Sequence, residues 1–165
     1  MDSNQLITIT DDDRRFMKMA CVLACENVDR GGGPFGAVIV KDGEVIAAAG
    51  NSVTLDNDPT AHAEVNAIRK ACSLIRNFKL DGCVVYSSCE PCPMCLSALY
   101  WAGVSRIYYG NTAAAADRIN FGDDFIYKEI KKPHLERAIP CIHMEGTDAI
   151  ESFNKWASLE GKIEY

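Results

Sequence analysis

The sequence predicts an α/β fold, a three-layer α/β/α sandwich on a five-stranded mixed sheet, and three observations carry that reading. Two apolar runs, residues 35–40 and 44–49, flank Lys41-Asp42-Gly43, the composition of a hairpin turn. Residues 83–87 form a short apolar strand pattern that passes through a Cys- and Pro-rich turn into helical spacing at Leu96, Leu99 and Tyr100. Amphipathic stretches separate the strand patterns, as a sheet covered on both faces requires.

Taken in order, Asp11, Asp12 and Asp13 lead into Phe16, Met17, Ala20, Cys21, Ala24 and Val28, a helical pattern with acid at its favourable N-terminal end. Gly31-Gly32-Gly33-Pro34 stops it, and the hairpin follows. Asp58-Pro59-Thr60 is expected to open a second helix through Val65, Ile68, Ala71, Cys72 and Ile75, which puts His62 and Glu64 in its first turn. Residues 106–109 read as a fourth strand, 139–144 as a fifth and 147–159 as a terminal helix, while residues 113–132 have the least regular pattern. Cys21, Cys25, Cys72, Cys83 and Cys141 fall on expected core faces as small apolar fillers.

A chain of 165 residues, 48% hydrophobic, suits one well-buried core, so residues 1–165 read as a single domain. No apolar run approaches the roughly 18 residues of a membrane span, and the N-terminus lacks the basic and apolar regions of a secretion signal, so the expected setting is cytoplasmic. In that setting eight cysteines point to reduced thiols and a metal rather than to disulfides. A net charge of −6 opposes binding to nucleic acid and favours a small-molecule substrate.

The chemistry lies in His62-Ala63-Glu64 and Pro91-Cys92-Pro93-Met94-Cys95. Two thiolates one helical turn apart and one imidazole make three ligands, and three protein ligands leave the fourth corner of a zinc tetrahedron to water, the arrangement of a catalytic site. Both groups are expected at helix N-termini, where the macrodipole favours thiolate. Glu64, two positions after His62, is placed for proton transfer rather than coordination.

The order His-x-Glu followed by Pro-Cys-x-x-Cys is the signature of the zinc nucleobase deaminases. With Gly33-Pro34-Phe35-Gly36-Ala37, Asn51, residues 57–64 and residues 88–95, the chain resembles the cytidine deaminase superfamily, and within it the short bacterial-type guanine deaminases. The resemblance implies a cytidine deaminase-like fold, one Zn2+ per subunit on His62, Cys92 and Cys95, and a zinc-activated water with Glu64 as proton carrier. The implied reaction is hydrolytic deamination of guanine to xanthine and ammonia. It further implies that Asn51 and the Ala63 amide meet the purine, that Phe35 and Trp101 border its ring, and that Cys89 lies beneath the site without binding metal. The loop Phe121-Gly122-Asp123-Asp124-Phe125-Ile126-Tyr127 resembles one that supplies a second proton carrier. Register assigns that role to Asp123, with Asp124 as the alternative because Gly122 stands where the family places its first aspartate. Members of this kind exchange their C-terminal segment in a homodimer, which makes Trp156 and Tyr165 candidates to close a partner's site.

Other readings stay open at this stage. Guanosine, cytosine or tRNA adenosine deaminases share the zinc motifs, and a zinc-stabilised module without turnover belongs to a different class. Cys141 and His143 would share a strand face, but two residues make poor coordination.

Overall fold

The computed structural model describes residues 8–164. They fall into two compact units, one running up to Asp124 and one from Phe125 onward.

The first unit begins with α1 (Asp11–Asp29), set by a capping box in which the Thr10 hydroxyl accepts from the Asp13 amide and the Asp13 carboxylate accepts from the Thr10 amide. The strands β1 (Gly36–Lys41) and β2 (Glu44–Gly50) pair antiparallel. Asp42 and Gly43 both have positive φ, 50° and 81°, which is the geometry that closes a tight hairpin along the twist of the strands. A short helix, α2 (Val53–Asp56), precedes α3 (Ala63–Ile75). The unit continues through β3 (Val84–Cys89), α4 (Pro93–Ala102), β4 (Arg106–Asn111) and α5 (Ala113–Asp117).

The sheet order is β2-β1-β3-β4, with β1 antiparallel to β3 and β3 parallel to β4 across the α4 crossover. β1 is buried on both faces because its alternating side chains serve two layers. Val38 and Val40 pack with Phe16, Ala20 and Tyr86 on the α1 side. Ala37 and Ile39 pack with Ala63, Ala67 and Leu99 on the α3 and α4 side. The three-layer mixed-sheet reading holds, and its strand count is corrected to four.

The expected fifth strand, residues 139–144, has no assigned secondary structure, and the shared strand face of Cys141 and His143 falls with it. Alternating apolar residues make a segment able to pair, but the partner edge is a tertiary matter. The second unit holds α6 (Asp124–Lys131) from its second residue on, a 3-10 turn (His134–Glu136) and α7 (Ala149–Ala157). The Glu129 carboxylate accepts from Lys132 and from the Ala138 amide, which stand on either side of the 3-10 turn.

Two further expectations change. Asp58 does not open α3: its carboxylate closes the Asp-Pro-Thr turn by accepting from the Thr60 amide and hydroxyl at 2.8 and 2.7 Å, and the helix starts at Ala63. Cys21, Cys25 and Cys141 are exposed rather than core-filling. The buried stripe of α1 is Phe16, Ala20, Ala24 and Asn27, so Cys21 and Cys25 are each turned about 100° from it. Among the described residues no helix is long and apolar enough to cross a membrane.

Candidate active site

His62 and Cys92 occupy equivalent positions, each the N-cap of its helix in extended backbone, φ −69° before α3 and φ −65° before α4. The His62 side chain makes no capping bond, so its ring is available for other work. Pro93 at the first position of α4 needs no donor there and presets the helical φ. Cys95, one turn on, donates its amide to Cys92 Sγ at 3.5 Å. Because α3 and α4 pack side by side, their N-termini bring one imidazole and two sulfurs together.

His62 Nδ1 lies 3.5 Å from Cys92 Sγ and 3.5 Å from Cys95 Sγ. A tetrahedral zinc with ordinary Zn–S and Zn–N bonds holds such atoms about 3.6 Å apart, so the donor set fits that ion in type and spacing. Cys89 is outside the group, its Sγ directed at Thr112 O 3.9 Å away. The Cys92 thiol is held well below its ordinary value, by the Cys95 thiol donating to it first and then by His62 and the Cys95 amide. Cys92 in turn raises His62 against the opposing effect of burial. A thiolate at a helix N-terminus beside an imidazole is a prepared cation site.

Glu64 is 6% exposed, and burial pushes its carboxyl up. Its Oε1 accepts from Ser87 Oγ at 3.0 Å. Ser87 is a residue sequence reading missed; a hydroxyl within the buried run Val84–Cys89 was the available signal, since a buried polar group needs a partner.

Asn51 is buried at the end of β2, and its Oδ1 accepts from the Val53 amide at 3.2 Å, which leaves its NH2 group as the donor end of the side chain. Ala63, fully buried, is the first residue of α3, so its N–H has no place in the helix ladder. Phe35 meets Phe121 edge to face, centroids 5.0 Å apart at 88°. Phe121 is brought there by a turn at the end of α5, where its amide donates to Ala116 O at 3.0 Å.

Two residues further on, Asp123 Oδ1 is buried without a hydrogen-bond partner. Burial first, then the Cys92 thiolate and the Glu90 carboxylate, push the Asp123 carboxyl up. Asp124 is exposed and begins α6. Trp101 is not brought to the ligands: it is 64% exposed near the C-terminal end of α4, about 13 Å along the helix from Cys92. Trp156 lies in α7 of the second unit, and Tyr165 lies outside the described residues.

A three-layer mixed sheet that brings a His and a Cys-x-x-Cys pair together at two helix N-termini, with a buried carboxylate alongside, defines a zinc-dependent deaminase class. Residues 10–111 match the cytidine and deoxycytidylate deaminase zinc-binding region, and the chain belongs to that family. It is 53% identical to the guanine deaminase of Bacillus subtilis over 151 residues, 91% of this chain and 97% of that one. It is 36% identical to the tRNA-specific adenosine deaminase of Aquifex aeolicus over 86% of this chain and 91% of that one. The X-ray structure of the Bacillus subtilis guanine deaminase superposes with a TM-score of 0.90 at 52% identity, covering 92% of this chain and 98% of that chain.

Proposed function

We propose that this chain is a guanine deaminase, converting guanine and water to xanthine and ammonia. The observation that carries the reading is the agreement of a TM-score of 0.90 and 53% identity with one such enzyme and a site whose donor set fits zinc.

His62 Nδ1 and the sulfurs of Cys92 and Cys95 would hold the ion. When bound, zinc supplies a Lewis acid that makes the proton of a water easier to remove. Glu64, buried and steadied by Ser87, takes that proton and returns protons to the ring nitrogen and the departing amine. The Asn51 NH2 and the Ala63 amide are donors, matched to the acceptors O6 and N7 of a purine carrying an oxo group. Phe35 and Phe121 wall the ring. Asp123 is the better placed of the two loop aspartates to carry a proton at the leaving group, because its unpaired buried Oδ1 and raised carboxyl leave it ready to exchange one.

A homodimer that exchanges C-terminal segments is also proposed. Ile139, Ile142 and Met144 are 83%, 75% and 73% exposed, an apolar surface that a second copy would bury. Deleting residues 163–165 is expected to lower activity; an undiminished rate would refute a lid role for that end.

The functional reading is tested by incubating the zinc-loaded chain with guanine, adenine, guanosine, cytosine and an anticodon stem-loop RNA while following ammonia. Release from guanine well above the others is expected. Release from another substrate with none from guanine would overturn it.

A further inference from the structure

We propose that Asn27 is a positioning residue for the base-binding side of the site, acting through Asn51; this rests on the base-binding role proposed for Asn51. Asn27 is the polar member of the buried stripe of α1, 7% exposed. Its Nδ2 donates to two backbone carbonyls, Gly33 O and Asn51 O, each at 2.7 Å. One of these belongs to the segment that leads into Phe35 and β1, the other to the residue that leaves β2. The Asn51 amide donates back to Phe35 O at 3.1 Å. A single side-chain amide on the helix therefore ties together the two segments that carry the aromatic wall and the purine donor.

The surroundings hold that amide in one place. A Cβ on Gly32 would run into Asn27 Nδ2 and Asn51 O, and a Cβ on Gly50 would run into Asn27 Oδ1. Both neighbours are thus stripped to glycine so that Asn27 can reach between them. Asn51 has its Oδ1 fixed by Val53, so the direction of its NH2 group follows its backbone, and the Asn51 carbonyl is the point at which Asn27 holds that backbone. A fold-only role would need a donor for one buried and one part-buried carbonyl and no more. Placement at Asn51 implies something further: loss of Asn27 weakens substrate capture more than the chemical step.

The test is a double-mutant cycle in the zinc-loaded full chain, with ammonia release from guanine as the readout. Asn27→Ala is expected to raise KM about tenfold, with kcat within roughly threefold and zinc content unchanged. In an Asn51→Ala background the same change should add less than about twofold, because the side chain that it positions is gone while the backbone carbonyl stays. Gly32→Ala presses on the same amide from the other side and should raise KM while leaving Asn27 in the chain; it carries the test if Asn27→Ala does not accumulate folded. A KM within about twofold of wild type in either folded variant, or an effect that multiplies undiminished onto Asn51→Ala, would overturn the proposal. Failure of the guanine reading shows separately, in the wild-type panel, and the cycle is then read on whichever substrate the wild type deaminates.

Discussion

His62 and Cys92 each stand at the N-cap position of a helix, and the Nδ1 of the first is 3.5 Å from the Sγ of the second. Two positive helix ends thereby meet at one point, and the anionic form of Cys92 is favoured before any cation arrives. Cys92→Ser replaces a soft thiolate with a neutral hydroxyl. Zinc retained after dialysis should fall below about a tenth of a site per chain, measured by metal analysis. Retention near one per chain would show that the site does not depend on that sulfur.

The Ser87 hydroxyl holds Glu64 at 3.0 Å inside the core, where a lost hydrogen bond costs about 1 kcal/mol. Ser87→Ala should therefore lower kcat/KM several-fold and leave zinc content intact. An unchanged kcat/KM would mean that Glu64 needs no such support.

Phe35 and Phe121, the proposed ring wall, meet edge to face. Phe121→Ala should raise KM for guanine by about fivefold with bound zinc unaffected, since an aromatic contact is worth about 1 kcal/mol beyond its burial. Steady-state kinetics at fixed zinc checks this, and a KM equal to wild type would remove Phe121 from the site.

The Tyr86 hydroxyl donates to Asp13 Oδ1 at 2.6 Å, tying β3 to α1 on the face of the sheet away from the ligands. Burial alone would raise the Asp13 carboxyl, but the Thr10 and Tyr86 hydroxyls outweigh it and hold it below its ordinary value. Its contribution to stability is thus present above the unfolded value, about 3.9, and is lost as pH falls through the lower folded one. Burial and the Asp13 carboxylate push the Tyr86 phenol up, so its contribution is complete below about 10 and lost as pH rises through the raised value. Tyr86→Phe should cost about 1 kcal/mol, small because Asp13 is reached by solvent. Urea unfolding should give that difference evenly from about pH 5 to 9 and a shrinking one in acid below about pH 4. A difference that stays constant down to about pH 2.5 would contradict the pairing.

How much of this was readable beforehand differs by element. The α1 period, the Lys41-Asp42-Gly43 hairpin and the strand-turn-helix around Cys92 are local patterns, and the structure bears them out. The Ile139–Met144 stretch alternates as a strand should, but alternation does not supply a neighbouring edge, and Ile139 is left exposed. His62 sits one residue outside the helix in which it was expected, because Asp58 spends its carboxylate on Thr60; that choice between a turn and a cap is invisible in composition. The ligand spacing was explicit in the sequence. The supporting residues Asn27, Ser87 and Phe121 were not, since their importance comes from contacts spanning long stretches of chain.

His62, Cys92 and Cys95 are the proposed holders of the zinc on which guanine deamination depends. Ammonia release from guanine should disappear when a chelator strips the chain and return in proportion to zinc added back, saturating at one ion per chain. Full release from chain shown by metal analysis to carry no zinc would contradict it.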